Sequence, residues 1–316
     1  MKNRNIAKAT VVLTALVFLC GLCAVAASAG ERYEEKFNRT EALARDGKVI
    51  IKNVSGRIVV KSWDKAEVQI AAVKVSNVRS EERAKESFAK VTIEVTKSGN
   101  ILQIETKYPE RMRNLNCSVE YELTIPDKAS IKVTNISGSV DAAEIGGAFE
   151  GNVTSGSVTL AKIWGGVDCR NISGGIELQD GAGEIDLYTV SGGIRAVRIK
   201  GSIEAETTSG RVELSDIAEA KSVRVKVLSG GISYDGEMAP GSRFNLETLS
   251  GGVHVTLPAN AGFELDAEAF SGRVNSEFPI TMQGTISRKE LRGVVNNGGA
   301  TLRIKSFSGS IEIRKK

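Results

Sequence analysis

Residues 167–184 read VDCRNISGGIELQDGAGE, 185–202 read IDLYTVSGGIRAVRIKGS, and 203–220 read IEAETTSGRVELSDIAEA. Set one beneath another, the three stretches bring Ser173-Gly174, Ser191-Gly192 and Ser209-Gly210 into a single column. The same dipeptide precedes them at Ser137-Gly138 and Ser155-Gly156, so five copies follow one another at intervals of 18 residues. Self-similarity at a fixed period is the mark of a repeat architecture and decides the fold before any single residue is weighed.

Beyond the regular stretch the dipeptide continues at slightly wider spacing through Ser229-Gly230, Ser250-Gly251 and Ser271-Gly272, then returns at Ser308-Gly309. The gap before Ser308 fits two turns, and Arg292-Gly293 reads as a corner that has lost its serine. An isolated early copy stands at Ser55-Gly56.

Alignment on the serine shows which side chains point inward. Six residues before it come Ile131, Phe149, Val167, Ile185, Ile203, Val223, Phe244, Leu265 and Leu302, all apolar, and four before it the residues are apolar or small. Three after it come Val140, Val158, Ile176, Ile194, Val212, Ile232, Val253, Val274 and Ile311. Alternation with period two, carried by β-branched residues on both sides of a turn, predicts two short strands per repeat. Glu177, Arg195, Arg211 and Glu213 fall on the opposite, outward face. Glycine supplies the corner backbone that other residues adopt only under strain, and the serine hydroxyl is available to turn amides.

The expected architecture is all-β: a parallel β-solenoid of about 18-residue coils, stacked roughly 4.8 Å apart into a rod about 45 Å long. Residues 127–316 form the repeats and residues 30–126 a β-rich cap. That cap carries a short helix over Ser80 to Ala89, with Ser80 as N-cap. The segment Tyr108 to Asn116, with Arg111 and Arg113, reads as an exposed loop, and Phe278 to Ala300, with Arg288, interrupts the coils.

Lys2, Arg4 and Lys8, the apolar run from Ala9 to Ala26 and the small residues Ala27-Ser28-Ala29 read as an export signal over residues 1–29, with an uncleaved anchor as the alternative. Bulky Leu19 and Leu22 before Cys20 and Cys23 argue against lipid attachment. No later apolar run is long enough to span a bilayer. Without the signal, 39 basic side chains of the 42 remain against 38 acidic ones, and aromatics are 5% of the chain. This balance carries no basic, aromatic-interleaved stripe, so nucleic acid is not expected as a partner.

No catalytic, cofactor or metal site is expected. His254 is the chain's single histidine, too few for a zinc site of the usual kind and no base for the corner serines. Asp180, Glu184 and Asp186 form the closest acidic group in the repeats, and a solvated face explains them. Cys117 and Cys169 are expected to be buried thiols, with one disulfide as the alternative in an oxidising compartment.

The repeated Val/Ile-Ser-Gly-x-Ile/Val-x-Leu/Val, with Trp63-Asp64 after the first copy and the strand ending Ile125-Pro126, resembles the bacterial "putative adhesin" family of exported Ser-Gly-repeat β-solenoids. The resemblance runs from about Val49 to Ile313 and implies the architecture, with no binding residues to carry over. Two classes of function follow: a surface or periplasmic module that binds an envelope polymer or a partner protein, and a scaffold that associates with itself. An envelope-stress regulatory partner is a third.

Overall fold

The structure, a computed structural model, describes residues 31–109, 115–281 and 289–316. The export segment, Arg111, Arg113 and Arg288 lie outside them. The described chain is nearly all strand. It begins with β1 (Glu31–Ala42), β2 (Lys48–Ser55), β3 (Ile58–Trp63), β4 (Glu67–Val78), α1 (Glu81–Lys90), β5 (Thr92–Ser98), β6 (Ile101–Lys107) and β7 (Ser118–Pro126). Pairs of strands then repeat: β8 (Ser130–Ser137) and β9 (Val140–Ile145), β10 (Phe149–Ser155) and β11 (Val158–Ile163), β12 (Val167–Ser173) and β13 (Ile176–Ala182), β14 (Ile185–Ser191) and β15 (Ile194–Lys200). Next come β16 (Ile203–Ser209) and β17 (Val212–Ala218), β18 (Ser222–Ser229) and β19 (Ile232–Gly236), β20 (Arg243–Ser250) and β21 (Val253–Leu257). The series closes with β22 (Phe263–Ser271), β23 (Val274–Ser276), β24 (Glu290–Val295), β25 (Ala300–Ser308) and β26 (Ile311–Lys315).

In each repeat the strand that ends on serine joins a front sheet and the strand that follows glycine joins a back sheet, giving two sheets of 13 strands. Successive coils pair in parallel and in register, Ile185 opposite Val167 and Ile203, Ile194 opposite Ile176 and Val212. The inward columns are buried along the rod, Cys169, Leu178, Leu187, Ala205 and Val225 completely, with Val274 on the terminal strand β23 partly covered. Each leucine or valine among them contributes roughly 1.5–3 kcal/mol by leaving water. A lone coil has no sheet partner, and stacking supplies both hydrogen bonds and core at once.

At the corner, Gly174 and Gly192 hold φ of +132° and +152°. A Cβ on Gly192 would collide with the carbonyl of Gly174, one coil below. The corner polar groups are satisfied by two ladders. The Gly174 and Gly192 amides donate to the backbone carbonyls of Ser191 and Ser209, at 2.8 and 2.9 Å. The corner carbonyls accept from inward side chains two residues before the serine: Asn171 to Gly156 at 2.8 Å, Thr189 to Gly174 and Thr207 to Gly192 at 3.0 Å each. Asn135 serves both Gly56 and Gly138. The corner serines Ser137 to Ser308 are themselves solvent-exposed.

The other corner carries a feature the sequence did not reveal. Glu144, Lys162, Asp180, Arg198 and Asp216 all have positive φ, between 54° and 62°. Their charges alternate up the rod, Lys162 Nζ meeting Glu144 at 2.8 Å and Arg198 meeting Asp180 through two bonds of 2.6 and 3.0 Å. The strain of left-handed non-glycine backbone is held by the parallel ladder above and below it.

Antiparallel strands edge both sheets at one end and the front sheet at the other, where the back sheet ends on the short parallel strand β23. At one end β4 pairs with β7 and β1 with β4 on the back sheet, β5 pairs with β6 on the front, and α1 packs on β4. Ser80 caps α1 by accepting from the Arg83 amide. The early copy joins the rod: Ser55 of β2 lies opposite Ser137 of β8. At the other end the order of coils departs from the order of the chain. β25 and β26 do not stack outside β22 and β23; they lie between that coil and the coil of β20 and β21. The Gly309 corner accordingly sits between those of Gly251 and Gly272. Arg292-Gly293 is not a corner: both residues belong to β24, antiparallel to β22 on its outer edge. A corner needs an apolar strand before it and after it, and β24 supplies one straight strand with Gly293 packed against Ile280 and Thr281.

Candidate binding face

Period two puts the residue before each corner serine on the outer surface of the front sheet, because the residue two before it points inward. Those outward residues are apolar at most rungs. Ile136, Ile172, Leu228, Leu249, Phe307 and Phe270 are exposed by 50, 54, 50, 48, 53 and 60%. Val190 and Val54 share the column. Isolated exposed apolar residues need no explanation, but an aligned column of them, one per rung, does.

The column is densest where the inserted coil lies. Leu228, Leu249, Phe307 and Phe270 are consecutive rungs there, from β18, β20, β25 and β22. The rings of Phe270 and Phe307 stack with centroids 4.7 Å apart and planes 6° from parallel. Alongside, two residues earlier on each strand, runs a second column: Glu206, Lys226, Glu247, Lys305 and Glu268, alternating in sign from rung to rung. Between the columns is a groove of about 710 Å³, floored by backbone where Thr207, Thr248 and Ser306 turn inward. Two residues along a strand set its width at roughly 7 Å. One wall is apolar, and the other is made of aliphatic stems tipped with charges.

Further along the front sheet, Glu150, Asp168, Asp186 and Glu204 line a wider trough of about 880 Å³, with Arg224 at one end. Lys132 holds the Glu150 carboxyl below its ordinary range. Asp186 moves the other way, pushed up by burial and then by Asp168, against the pull of Arg170. On the back sheet Glu177, Arg195, Arg211 and Glu213 line a shallower trough and pair with one another, Arg195 with Glu213 at 3.3 Å.

The residues weighed from sequence for chemistry are dispersed. Asp180 is on the back sheet in its bond with Arg198, which lowers its pKa, while Asp186 is on the front sheet. His254 is exposed and lies 3.3 Å from Glu312. Cys117 and Cys169 are free and buried, and burial pushes their thiols up to about 11 and about 12. Among the described residues no three His, Cys, Asp or Glu side chains are grouped to hold a metal ion, and no helix is long and apolar enough to cross a membrane.

The sequence reading passed over the groove. Its signal was present in the Val/Ile before Ser-Gly, whose parity is opposite to that of the core columns. What the repeat could not show is that Phe307 and Phe270 become neighbours, since that follows from the inserted coil.

Stacked two-strand coils in two parallel sheets, with antiparallel strands at their edges, define a two-sheet β-solenoid. The chain belongs to the family described as Toastrack DUF4097, which it matches over residues 48–314. Among solved structures it is similar to a "putative adhesin" from Bacteroides fragilis, at 12% identity, covering 88% of this chain and 97% of that one, with a TM-score of 0.40. It is also similar to a "putative lipid binding protein" from Parabacteroides distasonis, at 14% identity, 89% and 96% coverage and a TM-score of 0.40. A third is a "putative cell adhesion protein" from Clostridium sporogenes, at 14% identity, 89% and 100% coverage and a TM-score of 0.21. At such identities and scores these likenesses say nothing of what this chain binds. No curated protein matches it.

Proposed function

We propose that the chain is a non-enzymatic, exported interaction module that presents its front sheet to an envelope polymer or a partner protein. The single observation that carries this reading is the exposed apolar column of Leu228, Leu249, Phe307 and Phe270 beside the alternating charges. Covering these side chains releases water from apolar surface, worth about 25 cal/mol per Å² before the costs of association. The ladder beside them, Glu206 to Glu268, supplies orientation. Sugar rings stack on open aromatic faces, whereas here Phe270 and Phe307 cover one another and the Lys289 ammonium lies 5.7 Å from the Phe270 ring centroid. This favours a partner protein with an apolar strip over a glycan. The corner serines, in this reading, keep the shape of the rod and take no part in binding. Export rests on the N-terminal sequence pattern.

The test is a binding panel of envelope glycans and solubilised envelope proteins against the full chain and a Leu249→Ser/Phe270→Ser variant. Both positions are solvent-exposed, so the melting temperature should hold while affinity for the true partner falls at least about tenfold. Undiminished binding by the variant would overturn the groove as the contact surface. End-to-end assembly into a scaffold is disfavoured by the antiparallel strands β1, β5 and β24, which edge both sheets at one end and the front sheet at the other.

A further inference from the structure

The coil of β25 and β26 is held on both sides, where an outermost coil would be held on one. Thr301 to Ser308 run beside Arg243 to Ser250 and also beside β22, and Ile311 lies between Val253 and Val274. Around it the neighbours are matched to each other: Leu302 faces Phe244 on one side and Leu265 on the other, Ser308 faces Ser250 and Ser271. Without this coil the two neighbours form a slot two rungs wide, roughly 9.6 Å.

The slot recognises its occupant in detail. Its corner must be glycine, since a Cβ on Gly309 would strike the Gly251 carbonyl. Ser306 Oγ donates to that same carbonyl at 3.0 Å, Arg303 Nε reaches Asp266 at 3.2 Å, and Phe307 stacks on Phe270. A second copy of this chain carries the complementary coil.

The tether adds a reason for exchange. β24 lies on one edge of β22 and β25 on the other, so residues 296–299 must cross over β22 and reverse direction. All four have positive φ, Asn296 44°, Asn297 67°, Gly298 73° and Gly299 124°. Short connections under strain invite domain swapping, because an extended hinge relieves them.

We propose that this slot is an interaction site for a second copy of the chain, which exchanges the β25–β26 coil to form a two-fold dimer. In that dimer Lys305 and Phe307 of each groove come from the other copy. The inference is independent of what the groove binds.

His254 and Glu312 are opposite residues on β21 and β26, outside the groove. One full-length copy carries His254→Cys and a second carries Glu312→Cys. They are mixed, co-refolded over a range of concentrations, treated with a short thiol-specific crosslinker and mapped by peptide mass spectrometry. A double variant in one chain serves as the reference for insertion within a copy. Exchange predicts a crosslink between the two copies that rises with concentration. Deletion of Asn297 and Gly298, which leaves too little chain to cross β22 and turn back, should raise its yield at least about tenfold. Crosslinks only within the double variant, at every concentration, would overturn the proposal, as would dimers lacking the mixed crosslink. Should the deletion variant not fold, the concentration series alone decides.

Discussion

At the scale of the residue, the fold is set by positions where one atom more is one too many. Gly192 is such a position: its φ of +152° and the Gly174 carbonyl beneath it both exclude a side chain. Gly192→Ala is therefore expected to cost at least about 2 kcal/mol in denaturant unfolding. Gly241→Ala, at a φ of +77° but with open space around it, should cost only about 1 kcal/mol. Equal losses at the two sites would count against the stacked corner. A second prediction concerns charge. Burial and the neighbouring Asp168, Glu204 and Glu206 raise the pKa of Asp186 in the folded state. A raised carboxyl pKa means that the folded chain holds its proton more tightly than the unfolded one, so stability falls as pH rises through that pKa. Asp186→Asn should accordingly melt higher than the unaltered chain at pH 7, and the difference should vanish near pH 3, where both side chains are neutral. A gain that persists at pH 3 would place its origin in packing.

At the scale of the element, each strand is stable only through its two neighbours, and the inserted coil makes this measurable. Ile304 is fully buried and faces Leu246 and Ala267. Ile304→Asp would place a carboxylate in the core with no partner, a cost that ejection of the coil avoids. Hydrogen exchange should then show lost protection in β22, β24 and β25, with the coils from β8 to β17 unchanged. Uniform loss along the rod would mean that the coils do not open separately. The strands themselves were legible in the sequence, because each side-chain column repeats one chemical choice nine times over. Less legible were β1, whose Glu31 to Ala42 pattern is exposed nearly throughout and offers no alternation, and β24, where Arg292-Gly293 imitated a corner. The groove residues immediately before each corner serine are part of the repeated motif, and sequence alone does not say which outward column gathers aromatic residues.

At the scale of the whole molecule, the chain is a ruler. Every rung adds the same rise, every column keeps its address, and ligands can be read against a surface whose rows are fixed by backbone hydrogen bonds. The shuffled rows near the end are not legible in the sequence, because β22 and β25 carry the same register signal and either could follow β20. That shuffle has a consequence in time. A chain emerging from its amino end can add each rung to an open edge as it is synthesised as far as β21, β6 and β7 on the outer side of β2 and β3 and the rest on the other. The strands from Phe263 to Ser276 cannot take their final place until Ala300 and its successors arrive to fill the row beneath them. The penultimate row is thus laid last, and a chain interrupted before residue 300 lacks the strands that hold β20 and β22 one row apart.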